Sequence, residues 1–304
     1  MRKFLYLYNP YSGSQVGGHD LDRVLGTFYK RGVYAVPHRL FTLENDPVLD
    51  ALLADKEAFD GVIISGGDGT VGQMIDKMIK SGNDTPVGIV PGGTCNDFAR
   101  NLMMPAALMD CIEVFCDYRV DHVDLLKITT AEAEQYICNS IAAGVFVGVS
   151  HTTSPEFKKV FGSLAYYIAA LGELADMKTF NITVETEKET VQTEALVFAV
   201  LNGTDVGGMK NLISEADIKD GLMNIMIVKN CNPVERAAVG INLLAHKGDK
   251  NIVSLNCSRC KIKADREMDV SLDGENGLKL PFEIENLNQK LNVIVPEAFL
   301  HHGH

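Results

Sequence analysis

The chain has 304 residues, 46% of them hydrophobic and 22% charged, with a formal net charge of -12. This is an ordinary globular balance with a sizeable core, long enough for one large domain or two medium ones. The acidic balance lacks the basic footprint that nucleic-acid binding requires.

The opening MRKFLYLYNP starts cationic, but its apolar run Phe4–Tyr8 is too short for a signal-peptide core and stops at Asn9-Pro10. It predicts a buried first strand. No segment approaches the ~20 apolar residues of a membrane span. The expectation is a cytoplasmic protein that meets a membrane at most peripherally.

From there to about residue 125, strand and helix signals alternate. Asp20–Arg31 reads as a helix closed by Gly32, Ala35–Phe41 as a strand and Asp46–Ala54 as a helix. Val62–Ser65 is the next predicted strand, Gln73–Lys80 a helix and Val87–Val90 a strand that runs into Pro91-Gly92-Gly93. This order predicts a parallel sheet with helices on both faces. After Asp124 short strand signals dominate, from Leu125–Thr129 to Phe282–Ile284 and Leu291–Val295. Two long helical signals interrupt them, around Ser163–Asp176 and Pro233–Leu244. The predicted organisation is an α/β domain over 1–125 and a β-rich domain over 126–304.

Seven cysteines are scattered without the spacing of a disulfide framework, and several sit in apolar runs as small hydrophobes. Cys257 and Cys260 form C-x-x-C, but no second pair exists to complete a zinc site. The histidines of the tail, His301-His302-Gly303-His304, read as a frayed terminus.

The string Gly67-Asp68-Gly69-Thr70-Val71-Gly72 follows a strand and matches G-x-G-x-x-G. A dinucleotide fingerprint expects an acidic residue at the end of the next strand, where this chain has Pro91-Gly92-Gly93-Thr94 instead. No G-x-x-x-x-G-K-[ST] occurs, which excludes a P-loop of that type. Glycines let backbone N–H groups approach phosphate, and a helix N-terminus favours anions. A carboxylate at Asp68 repels bare phosphate unless a divalent cation lies between them. Asp68 therefore either caps a nearby helix or points to a Mg²⁺-nucleotide. Two further polar loops with glycine follow strands, Asn9-Pro10-Tyr11-Ser12-Gly13 and Pro91–Asp97. In open α/β sheets such loops can line one crevice.

Together, "NPYSG" at 9–13, "SGGDGT" at 65–70 and "PGGTCNDFAR" at 91–100 resemble the diacylglycerol kinase catalytic-domain family, whose relatives include sphingosine and ceramide kinases. The resemblance continues in "VDLLK" at 123–127, "EFKKVFGSLAYYIAAL" at 156–171, "EADIKDGLMNIMIV" at 215–228 and "SLDGE" at 271–275. It implies a nucleotide-binding α/β domain, a β-sandwich-like second domain and ATP-dependent phosphorylation of a lipid hydroxyl, with diacylglycerol the expected acceptor. Asn9, Pro10, Ser12, Gly13, Ser65, Gly66, Gly67, Asp68, Gly69, Thr70, Gly93, Thr94 and Asn96 would then cradle ATP. Thr42 of "FTLEND" would stand beside them. Asp68, Asp97 and Asp124 would form an acidic network around Mg²⁺, held through water. Glu275 matches the general base, with Asp273 supporting the same site. "DIKDGL" resembles a second metal site, with the Asp220 carboxylate and backbone oxygens near Asp217 and Leu222. From the residues alone, "SLDGENG" is a hairpin turn and Asp220-Gly221 a turn between strands.

Phe157–Leu171 puts Lys158 and Lys159 before an apolar, aromatic run, which suits either a core helix or a transient contact with a membrane surface. A homodimer is the assembly common among similar proteins. Two departures from the family pattern stand out. No cation follows the first loop until Arg23, so phosphate neutralisation would fall on Mg²⁺. The chain also stops soon after "LNVIVP", leaving little to pack back on the first domain. An NAD kinase shares "GGDGT", and a non-catalytic lipid- or nucleotide-binding regulator could keep the fold; "PGGTCND" and "LDGE" favour the lipid kinase.

Overall fold

The computed structural model describes residues 1–10, 20–41, 46–144, 179–209, 212–213 and 216–301. Ser12, Gly13, Thr42, the Lys158 and Lys159 segment, the helix expected around Ser163–Asp176 and the last three residues lie outside them. The chain divides into two compact units: Met1–Val123 with Gln289–His304, and Asp124–Asn288.

The first unit is α/β, as its alternating pattern predicts. Its strands are β1 (Arg2–Tyr8), β2 (Val33–Arg39), β3 (Gly61–Gly66) and β4 (Val87–Pro91). They pair in parallel, in the order β2-β1-β3-β4. Phe4 to Leu7 and Val62 to Ile64 are almost wholly buried. Such continuous apolar runs are what a parallel sheet covered on both faces demands.

The helices bring apolar stripes to that sheet. α1 (Leu21–Lys30) buries Val24 and Phe28, with Phe28 meeting Phe4 edge to face. α2 (Pro47–Ala54) buries Leu49 and Leu53 and starts at Asp46, whose side chain accepts from the N–H groups of Val48 and Leu49. α3 (Asp68–Lys80) buries Met74, Ile75 and Met78. α4 (Asp97–Asn101) and α5 (Leu108–Asp117) follow β4. The order reverses between β1 and β3, because the chain leaves β1 toward β2 on one side and returns on the other.

The second unit is mostly antiparallel. Its strands are β5 (Val120–Thr129, whose first residues belong to the first unit), β6 (Glu134–Ile137), β7 (Ser140–Gly144), β8 (Phe180–Thr186), β9 (Thr190–Leu201), β10 (Met223–Lys229), β11 (Ile252–Cys257), β12 (Arg259–Ala264), β13 (Asp269–Leu272), β14 (Glu275–Lys279) and the start of β15 (Phe282–Ile294). β9 pairs with β8 through its first half, with β7 through its second and with β10 along the same stretch. Residues 195–201 are correspondingly buried on both faces. One core gathers Leu126, Ile141, Phe198, Ile225, Ile262 and Phe282. A second lies under α6 (Pro233–Leu244).

The C-terminal segment differs from the sequence expectation. The two signals Phe282–Ile284 and Leu291–Val295 are one strand, β15, with a polar middle. Its first residues pair with β12, and Val293 pairs with Val87 of β4. Val295 donates its N–H to the Arg119 carbonyl and Phe299 is buried, so residues 289–301 complete the first unit after all.

Candidate active site

In a parallel sheet the crevice beyond the carboxyl ends forms where the strand order reverses, which here is between β1 and β3. The loops at that point are the ones singled out by sequence. Asn9 follows β1; its N–H donates to the Ser65 carbonyl at 3.0 Å, and its side-chain amide donates to the Thr70 hydroxyl at 3.0 Å. Gly66 closes β3, and a Cβ there would lie 2.7 Å from the Thr70 side chain. Gly67 caps α3 in an extended conformation without a side-chain bond of its own.

The third loop packs directly on the second. The Gly92 N–H donates to the Gly66 carbonyl at 2.8 Å. A Cβ on Gly93 would stand 2.7 Å from the Gly67 Cα, so that position has no room for a side chain, and a Cβ on Gly67 would be tight at 3.2 Å from the Gly93 Cα. Asn96 is left-handed at φ 52° and folds back on its own loop. Its side chain accepts from the Gly93 N–H at 2.6 Å and donates to the Gly93 carbonyl at 2.9 Å. Asn96 is thus a builder of the turn, while Thr94 at its tip is exposed.

Asp68 and Asp97 each open a helix. A carboxylate in the first turn is favoured by the helix dipole. Asp68 also accepts from the Phe98 N–H, at the start of α4, at 3.3 Å. Its negative charge is therefore seated by two helix N-termini, its own and that of α4. Asp97 is buried and pairs with the Arg100 guanidinium, which also donates to the Cys95 carbonyl.

The second unit holds the other carboxylates. Asp124, on β5, is wholly buried. Its Oδ2 accepts from the Gly221 N–H at 2.7 Å and from the Asn286 amide at 3.3 Å. Asp273 and Gly274 both have positive φ, 47° and 89°, and Leu272 pairs with Glu275 across them. This is the two-residue hairpin that Asp-Gly predicts. Glu275, the first residue of β14, is exposed.

The structure shows what Asp273 does: its carboxylate accepts from three successive backbone N–H groups, those of Cys138, Asn139 and Ser140, at 3.0, 2.9 and 2.8 Å. It clamps the β6–β7 bend and so fixes the hairpin that carries Glu275. Asn202 is a residue that no motif marks. Its amide donates to the carbonyls of Asp124 at 3.0 Å and of Cys138 at 2.9 Å. It ties Asp124 to the bend that Asp273 holds. The signal for it in the sequence is slight, an asparagine that ends the apolar run of β9.

Asp217 and Asp220 lie in one turn, each accepting a backbone N–H two residues on. Burial pushes the Asp220 carboxyl up from its ordinary range; the N–H of Leu222 opposes this and the nearby Asp217 charge adds to it. Among the described residues no group of three or more His, Cys, Asp or Glu side chains gathers as a metal site. A hard divalent cation nonetheless fits this turn chemically, since it would relieve the two carboxylates and take backbone oxygens and water as its other ligands. The same chemistry suits Asp68 and Asp97.

Residues 3–128 match the family model for the diacylglycerol kinase catalytic domain, and residues 139–295 match that for the YegS C-terminal NAD kinase beta sandwich-like domain. The diacylglycerol kinase of Staphylococcus haemolyticus is 30% identical over 96% of this chain and 87% of its own. That of Bacillus subtilis is 28% identical over 98% and 97%. A crystal structure from Bacillus anthracis shares the fold with a TM-score of 0.81, at 24% identity and coverage of 98% and 96%. With two glycine loops locked together at the sheet's reversal point and both halves matched along their length, this chain belongs to the diacylglycerol kinase family and is a lipid kinase, a phosphotransferase acting on an alcohol.

Proposed function

We propose that the chain uses ATP with Mg²⁺ and phosphorylates diacylglycerol to phosphatidic acid. The observation that carries this reading is the pair of interlocked loops, Gly66–Thr70 and Gly92–Asp97, beside Asn9 at the reversal of the sheet. The backbone N–H groups at the start of α3 would meet the phosphates, with Gly69 and Thr70 in the first turn and Thr94 reaching from the facing loop. Asn9 holds the Thr70 hydroxyl in place, and Asn96 keeps the facing loop closed.

Asp68, Asp97 and Asp124 would hold Mg²⁺ through water. When bound, the cation neutralises the charge of the phosphoryl oxygens, which is the larger part of catalysis in a loose phosphoryl transition state. Glu275 accepts the proton of the acceptor hydroxyl. Its place on a tight, clamped hairpin keeps that carboxylate from wandering. A second cation on Asp217, Asp220 and the Leu222 carbonyl would stabilise the turn whose Gly221 N–H reaches Asp124.

The test is transfer of label from γ-labelled ATP to a lipid panel with Mg²⁺, comparing wild type with Glu275→Gln. The panel includes diacylglycerol, monoacylglycerol, a sphingoid base and undecaprenol, which all present a primary hydroxyl. Label in diacylglycerol that is lost in the variant supports the reading. Label in another lipid corrects the acceptor, NADP formed from NAD replaces the lipid, and ATP binding without any transfer points to a regulator.

A further inference from the structure

Helix α6 is apolar on two sides. Val239 and Leu243 turn inward and are buried beside Leu196, Met226 and Val228. On the outer side Val234 is 80% and Ile241 66% exposed, and Ala237 and Ala238 between them are exposed as well. The spacing 234, 237, 238, 241 is one stripe along a helix. A capping box fixes the start of that helix: Asn232 accepts from the Glu235 N–H at 3.0 Å, and Glu235 accepts from the Asn232 N–H at 3.3 Å. A helix with an apolar face on each of two sides is ordinarily covered on both.

The charges beside the stripe point to its cover. Residues 229–250 contain Lys229, Lys247 and Lys250 and a buried Arg236 that turns inward to the Cys231 carbonyl, against only Glu235 and Asp249, in a chain whose net charge is -12. Lys250 is paired with Glu235 at 2.8 Å, while Lys247 is exposed just beyond the end of the helix. In a two-fold contact between copies the same patch lies on both sides, which gathers its exposed lysines into one interface. A lipid kinase must meet lipid, and no described helix is long and apolar enough to cross a membrane. We propose that the outer face of α6 docks on an anionic bilayer, with Val234 and Ile241 entering the headgroup boundary and Lys247 meeting the lipid charge. This rests on the acceptor being a bilayer lipid. Two apolar side chains and a weak cationic rim give reversible adhesion rather than anchoring.

The chain contains no tryptophan, so Ile241→Trp provides a single reporter at an exposed site. Its emission is expected to shift to the blue on adding phosphatidylglycerol–phosphatidylcholine vesicles and to be quenched by brominated acyl chains. The double variant Val234→Glu with Ile241→Glu should bind those vesicles about tenfold more weakly yet turn over a short-chain diacylglycerol in solution as wild type does. Emission that ignores the vesicles, or a double variant that sediments with them like wild type, overturns the proposal. So does emission already blue in the free protein, whether constant or rising with protein concentration, since the face is then covered by this chain or a second copy. Vesicle binding is read without turnover, so a failure of the diacylglycerol assay alone counts against the acceptor and not against the docking face.

Discussion

The two units seat their carboxylates in different ways. In the first, Asp68 and Asp97 stand at helix N-termini, placed by loops packed so closely that Gly93 has no room for a side chain against Gly67. In the second, the carboxylates of Asp124 and Asp273 are held by partners far apart in sequence, the Gly221 N–H and Asn286 for the one and the N–H groups of residues 138–140 for the other, with Asn202 on the Asp124 carbonyl. Backbone shape builds the one and hydrogen-bonded side chains the other. The first fails when volume is added, and the second when a donor or acceptor is removed.

The largest effect expected is chemical. Glu275→Gln should lower kcat about a hundredfold or more while circular dichroism and thermal midpoint stay put, because the side chain is exposed; near-normal turnover would remove Glu275 from its role. Asn202→Leu keeps the size but takes the amide donor away from the carbonyls of Asp124 and Cys138. It should cost about 2–4 kcal/mol in urea unfolding and lower kcat more than it changes the KM for ATP. An equal change in both would mean that Asn202 serves the fold at large.

Gly93→Ala tests the other construction. Its Cβ meets the Gly67 backbone, which has no flexible end to yield, so a loss of about 1–3 kcal/mol is expected. The KM for ATP should rise more than kcat falls, the reverse of the Asn202 pattern. The smallest effect concerns pH. Asp46 accepts from two N–H groups and from His38 at 2.7 Å, and its carboxyl lies below the ordinary range; burial opposes this, and the bonds from Leu49, His38 and Val48 outweigh it. A lowered folded value means stability that is fully present above the unfolded value, about 4, and lost as pH falls through the folded one. Asp46→Asn keeps the cap and should flatten the fall of the thermal midpoint in acid by a small margin. An unchanged slope would place the acid sensitivity elsewhere.

That contrast also governs what could be read in the sequence. Glycine loops after apolar strands are local, so the α/β pattern, the two glycine loops after β3 and β4 and the Asp-Gly hairpin were all legible. Asn202 was not, because its partners at positions 124 and 138 are distant and an asparagine at a strand end has no spacing rule. Asn96 was marked by its loop motif, but its bonds to Gly93 depend on a left-handed backbone that the string does not announce. The role of Asp273 was hidden for a related reason: its three partners are backbone groups, which leave no mark on residue identity. The C-terminal segment was misplaced because the polar middle of β15 reads as a break, although polar residues there are simply the exposed part of one strand.

That last strand also has a consequence for the order of synthesis. Residues 124–288 are inserted between two parts of the first unit. A ribosome makes everything up to Asn288 before it makes Val293, which pairs with Val87. Until then one edge of β4 has an open ladder along an apolar strand, the kind of edge that recruits other chains. The first unit to emerge is thus the last to be finished, and its partly made form is the one for which a chaperone would matter most.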